Sequence, residues 1–291
     1  TAPLDAARKL TSRWTSAQPA RYSSSMFGPN CGIRIIGHRG ARGVAPENTV
    51  PAIRHGVEVG AQAIEIDLHA SREGELVVIH DPTLDRTSDG TGPVEQRTLV
   101  ELRSFDAGYR FTTDEGKTFP FREAGVQIPT LDEAMEAIGD LPAILEVKSA
   151  AAGRLLADWL PGRPEFDRII VGGFNAEEVG PAGDTARWRC AYQTDLLGFV
   201  LWGKLGISRR LPEDLTAAMV PVRKNGLRIV TRGFVRRMHR QGKGVFVWTV
   251  NRPDEMRRLL DIGVDGLISD YPAVLRRVVE ERLAAGQEPS A

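Results

Sequence analysis

The most reactive side chains of this chain stand where short apolar runs stop. Ile35-Ile36-Gly37 leads into His38-Arg39, Ala63-Ile64 into Glu65-Ile66-Asp67, and Ile144-Leu145 into Glu146-Val147-Lys148. Val78-Ile79 runs into His80-Asp81, and Val245-Phe246-Val247 into Trp248-Thr249-Val250-Asn251. Residues two apart on an extended strand project to the same side, so Glu65 and Asp67 share a face, as Glu146 and Lys148 do. Three carboxylates gathered at one place repel, and each resists ionising unless a cation neutralises it. An all-oxygen ligand set suits one divalent cation, Mg²⁺ or Ca²⁺, rather than zinc. Arg39 and Lys148 add positive charge suited to a phosphate. His38 and His80 bring imidazoles that titrate near neutrality, fit to act as general acid and base. The sum is the equipment for metal-assisted phosphoester hydrolysis. Each group alone reads more readily as a solvated strand end or a satisfied core polar group; their recurrence carries the argument.

Recurrence at strand ends requires a scaffold that brings strand ends together. Apolar runs return at Arg34–Gly37, Ala63–Leu68, Ala143–Val147, Arg168–Val171, Arg189–Tyr192, Ala218–Val222, Val245–Thr249 and Gly266–Ile268. Helical patterns lie between most of them, including Val50–Val59, Arg154–Leu160, Phe234–Gln241 and Asp254–Ile262. Eight strands alternating with helices predict an α/β fold, a (β/α)₈ TIM barrel, whose active face lies at the C-terminal strand ends. A doubly wound open sheet is the alternative, but no G-x-G-x-x-G follows the first strand. Between His80 and Ile128 the rhythm breaks. Turn-rich sequence and a capping box at Thr98 and Glu101 predict a small insertion after the second strand, over about residues 83–128. A second box, Thr130 to Glu133, restarts the regular pattern. Residues 1–30 are read as an N-terminal arm, 31–280 as the barrel domain and 281–291 as a tail.

The Glu73-Gly74 pair resembles a two-residue hairpin turn, which would set His80 directly across from Asp67. Gly40 and Gly43 are expected to let backbone approach a phosphate-sized ligand.

Composition narrows the partners. Of 291 residues, 42% are hydrophobic and 26% charged, enough for a large core, and 38 basic residues balance 38 acidic ones. Nothing there calls for nucleic acid or a polybasic membrane anchor. Cys31 and Cys190 have no metal-ligand or redox spacing and are read as two thiols. No apolar run reaches the roughly 18 residues a membrane-spanning helix needs. Localisation stays open, with the cytoplasm slightly favoured over an extracytoplasmic place.

The ordered set H38-R-G-x-x-G-x-x-P-E-N-T49, E65-I-D67 and V78-I-H-D-P-T-L-D-R-T87 resembles the glycerophosphodiester phosphodiesterase family. I128-P-T-L-D-E133, E146-V-K148, V247-W-T-V-N251 and G263-V-D-G-L-I-S-D-Y-P272 extend the likeness to about residue 275. The resemblance implies a TIM barrel that cleaves a glycerophosphodiester into sn-glycerol 3-phosphate and an alcohol. It implies a divalent metal on Glu65, Asp67 and Glu146, with His38 and His80 as the acid–base pair and Arg39 and Lys148 near the phosphate. Trp248 would line the pocket, though a rim core role weighs equally. Glu47, matching the P-E-N-T acid, is expected near the site. His69 and Asp81 are expected behind the direct contacts. Leu68, where valine is common in the family, is a small departure.

The remaining candidates read as structural. His55 and His239 lie within helices, Arg42 reaches either a phosphate or water, and Asp85 is expected to pair with Arg86 inside the insertion. Two alternatives accompany the main reading. The first is a lysophospholipase D acting on membrane lipids, with Leu196–Gly203 resting on acyl chains rather than packing behind the barrel. The second is a barrel that binds phosphodiesters without cleaving them.

Overall fold

A computed structural model describes residues 26–32, 34–204 and 209–286. Eight parallel strands close a barrel: β1 (Ile35–His38), β2 (Ala63–Ala70), β4 (Ala143–Val147), β5 (Ile169–Gly172), β6 (Trp188–Cys190), β7 (Leu215–Pro221), β10 (Gly244–Trp248) and β11 (Gly266–Ser269). β11 pairs with β1 and β1 with β2, so the eight parallel strands form a closed ring. Each predicted strand is present, with bounds shifted by a few residues.

The helices between strands are α1 (Val50–Glu58), α3 (Leu131–Ile138), α4 (Ala150–Trp159), α5 (Ala176–Thr185), α6 (Gln193–Lys204), α7 (Arg232–His239), α8 (Pro253–Ile262) and α9 (Pro272–Ala284). Their starts follow from sequence: Thr49, Ser149, Asn175 and Thr231 each accept a backbone N–H as N-cap. α8 ends on Gly263 at φ 92, a left-handed stop that favours glycine. α9 runs on to Ala284, past the boundary expected at residue 280.

The barrel interior is filled by Ile36, Ala63, Ile144, Ile170, Phe246 and Ile268, closed below by Phe27. The Phe27 ring meets that of Phe246 edge-on at 6.3 Å, so the end of the N-terminal arm is packed into the barrel floor. Two larger apolar layers join the outward strand faces to the helices. The described helices include none long and apolar enough to cross a membrane.

The insertion is a compact lobe with its own core of Val77, Ile79, Leu84, Val94, Leu102 and Ile128. It holds α2 (Leu99–Arg103), and both predicted capping boxes, at Thr98 and Thr130, are complete. Its entry is β3 (Leu76–Val78), antiparallel to β2. The expected hairpin register is wrong by one residue. Leu68 pairs with Val78, and the Ile79 N–H donates to the Asp67 carbonyl at 3.0 Å, so Ile79 rather than His80 lies across from Asp67. The turn explains the slip. Ser71 N–H donates to the Glu75 carbonyl and the Ser71 hydroxyl accepts from Glu75 N–H, leaving three connecting residues instead of two.

Candidate active site

Strand register builds the mouth directly on the interior. One inward step above Ile36, Ala63, Ile144, Phe246 and Ile268 come His38, Glu65, Glu146, Trp248 and Asp270, the last just beyond β11. Asp67 follows Glu65 by another inward step. His38 is in register with Glu65, and Asp67 with Glu146, so neighbouring strands deliver these groups side by side. Glu65, Asp67 and Glu146 each present an oxygen within 4.8 Å of the others, and Glu65 and Asp67 are buried.

The cations sit among these acids. Lys148 Nζ lies 2.5 Å from Glu146 Oε1 and 3.0 Å from Asp67 Oδ1. Arg39 Nε is 3.1 Å from Asp67 Oδ2, and its backbone N–H donates to Glu65 Oε2 at 2.9 Å. Arg39 itself lies in the left-handed region at φ 50. Asn48, also left-handed at φ 58, donates to Asp67 Oδ2 at 2.8 Å and accepts the Asp67 N–H. Burial favours protonated Asp67, but Lys148 and Arg39 outweigh it and its pKa is lowered. Glu65 goes the other way: burial, then the charges of Asp67 and Glu146, raise its pKa well above the carboxylate range.

The two histidines are held alike. His38 Nδ1 is 2.6 Å from Asp270 Oδ1, and His80 Nδ1 is 2.6 Å from Asp81 Oδ1. A carboxylate on Nδ1 makes that nitrogen the donor and leaves Nε2 for proton exchange. His38 Nε2 lies 4.0 Å from Glu65 Oε2. Burial lowers the His80 pKa, with Asp67 and Asp81 pulling the other way. His69, expected behind the direct contacts, lies with its Nε2 3.2 Å from the His80 carbonyl oxygen.

Behind His80 lies a clamp that sequence reading misassigned. Arg86 does not pair with Asp85, whose carboxylate accepts the Gly92 N–H. Its guanidinium instead grips Glu47 through two nitrogens, at 2.9 and 2.7 Å, and Asp81 at 2.6 Å. Arg39 Nη1 reaches the same Glu47 at 2.6 Å. Burial opposes the Glu47 charge, yet Arg86, Arg39 and Arg42 hold its pKa down to about 2. Arg42 faces carboxylates, 3.7 Å from Glu47 and 3.6 Å from Asp270. The Asp85–Arg86 expectation rested on adjacency, whereas the insertion folds Arg86 back over the first βα loop.

Other groups missing from the sequence-based site are Asp270, Asn251 and Asn48. Asn251 donates to Asp270 Oδ2 at 2.7 Å and accepts the Asp270 N–H at 3.0 Å, fixing the carboxylate that holds His38. Asn251 and Asp270 follow strand ends, which was the available signal; their pairing depends on β10 and β11 being neighbours. The glycine expectation also needs correction. A Cβ on Gly40 would lie 2.5 Å from the Ala52 carbonyl carbon, and one on Gly43 2.3 Å from the Tyr271 ring. These glycines let α1 and Tyr271 pack against the loop rather than admit a ligand. His239 is structural as expected, 2.8 Å from the buried Asp265.

Trp248 lines the mouth, its ring edge-on to Phe174 at 6.4 Å, and Lys148 Nζ stands 5.3 Å from the Phe174 ring centre. Trp248 also packs on the interior layer. The donors fit a hard divalent cation. Glu65 Oε1 is buried without a hydrogen-bond partner, the ligand set is all oxygen, and the raised Glu65 pKa marks a carboxylate short of positive charge.

A closed parallel barrel with buried carboxylates, basic clamps and two carboxylate-held histidines at its C-terminal face defines a TIM-barrel protein of phosphoester type. The chain belongs to the glycerophosphoryl diester phosphodiesterase family, whose model matches residues 38–159 and 187–274. It is 32% identical over 258 residues to a glycerophosphodiester phosphodiesterase of Caldanaerobacter subterraneus subsp. tengcongensis, covering 85% of this chain and 98% of that one. A solved Oleispira antarctica phosphodiesterase, in complex with the product sn-glycerol-3-phosphate, is 25% identical with a TM-score of 0.67, over 85% of this chain and 96% of the other. A Mycobacterium tuberculosis glycerophosphoryl diester phosphodiesterase domain, 23% identical, shares the fold with a TM-score of 0.73, over 85% of this chain and 99% of that one.

Proposed function

We propose that the protein hydrolyses glycerophosphodiesters to sn-glycerol 3-phosphate and the head-group alcohol, with a divalent cation and with His38 and His80 as the acid–base pair. The observation that carries this reading is the matched restraint of the two imidazoles by Asp270 and Asp81 beside the Glu65–Asp67–Glu146 cluster. A cation held by those three carboxylates would supply Lewis-acid activation of the phosphoryl group and the nucleophile.

This chain's own residues do the rest. Arg39 and Lys148 stabilise charge that grows on the phosphoryl oxygens. One Nε2 accepts the proton of the attacking hydroxyl while the other donates to the departing alkoxide, the net change being one water added across a P–O bond. Trp248 and Phe174 shape the wall against which the organic part of the substrate rests. The test is release of glycerol 3-phosphate from glycerophosphocholine. Release should cease with EDTA and return with Mg²⁺ or Ca²⁺; turnover indifferent to EDTA would remove the cation from the reading.

A further inference from the structure

Next to Glu146 and Trp248 the mouth continues into a cavity of about 710 Å³, a size that ordinary ligand sites share at about 300–1,000 Å³. α6 forms one wall with Leu196, Val200 and Leu201, and Val220 of β7 another. A small hairpin, β8 (Arg223–Lys224) with β9 (Leu227–Arg228), contributes Leu227, and Ile229 follows it. Glycerol, phosphate and a short head group are polar throughout, and none of them gains from such walls. Polar groups buried there without partners would be penalised. The outer rim is apolar too: Leu197 and Leu201 are 60% and 49% exposed, beside the exposed cations Arg223 and Lys224.

We infer that this channel takes the hydrocarbon chain of a lysophospholipid whose phosphodiester sits at the acidic cluster. The inference rests on the proposed hydrolase reading and names its substrate class. Continuity carries it, because one cavity touches both the cluster carboxylate Glu146 and the α6 leucines, so a single molecule spans from one to the other. In the reaction, the P–O bond to the head group breaks, an oxygen from water bonds to phosphorus, and the head-group alkoxide takes a proton. Lysophosphatidic acid and the head-group alcohol result. The α6 segment thus has an apolar face packed on the core through Phe199 and another facing the channel.

The experiment measures kcat/KM for glycerophosphocholine and for lysophosphatidylcholines from hexanoyl to decanoyl, below micelle formation. Each methylene seated in the channel should raise kcat/KM by up to about fourfold. Leu201→Glu, at a half-exposed position, should flatten that series while glycerophosphocholine turnover stays within about twofold, as substitutions on an open surface usually allow. Glycerophosphocholine turnover with no gain along the series overturns the channel and leaves the hydrolase reading standing. Should no phosphodiester turn over, calorimetry of hexyl- and decylphosphocholine in EDTA decides instead. Tighter decyl binding that Leu201→Glu abolishes supports the channel; equal binding of the two chains overturns it.

Discussion

On the β1–β2–β4 side of the mouth, the side chains above the apolar interior are His38, Glu65, Asp67, Glu146 and Lys148; on the β5–β6–β7 side they are Cys190 and Met219, beside Gly172. The same inward alternation of strand residues produced both. The charged half is tied down atom by atom, Asp67 alone contacting Asn48, Arg39 and Lys148. The apolar half has little to tie and instead leaves space, with Cys190 kept a neutral thiol by burial. A buried charge has to be paired or neutralised, so the charged half is held rigidly. A hydrocarbon wall needs only shape.

Substitutions can break this contrast, starting with the charged half. His38→Ala and His80→Ala should each lower kcat by roughly 10²–10⁴ with the circular dichroism spectrum and melting temperature nearly unchanged. Near-normal turnover by both would end the acid–base assignment. Asp270→Asn should cost about 10- to 100-fold, the usual size for a residue that orients a functional histidine. Its distinguishing mark is a fall in kcat with KM little changed, because His38 Nδ1 loses the acceptor that fixes its tautomer and ring orientation; a loss confined to KM or to melting temperature would make Asp270 merely structural.

The smallest effect on turnover belongs to Arg86→Gln, since Asp81 still bonds His80 directly. Its signature is the pH dependence of stability. Glu47 has a folded pKa of about 2, below its ordinary 4.5, so its contribution is fully present above about pH 4.5 and lost as pH falls toward 2. Spread over that gap the contribution is on the order of 3 kcal/mol. Melting curves from pH 7 to 2 should show Arg86→Gln less stable than the parent protein above about pH 4.5, with the gap closing as pH falls toward 2. Equal melting temperatures at neutral pH would show that Arg39 and Arg42 suffice.

Local patterns were largely readable. The eight apolar runs, both capping boxes and the strand-end acids all have causes within a few residues: alternation, a hydroxyl three positions from a glutamate, carboxylates two apart. The hairpin register was not, because the Ser71 side chain closes a three-residue turn that dipeptide preference alone does not reveal. Arg86 was misread for a related cause, its partners Glu47 and Asp81 being set by how the insertion folds over the mouth. The apolar cavity was unreadable in outline, since the Leu196–Gly203 run fits a core face and a channel wall equally well.

By itself the sequence determined which residue types end the strands, which faces they share and hence a TIM barrel with carboxylates, cations and imidazoles on its rim. Those properties follow from periodicity along one strand or helix. Tertiary structure alone decided that Asp270 holds His38 across 232 positions of chain and that Glu47, Asp81 and Arg86 form one clamp. It also decided that α6 and the β8–β9 hairpin enclose a cavity beside Glu146. Distances between elements depend on closure of the barrel and on the packing of its loops, and no local pattern encodes that closure.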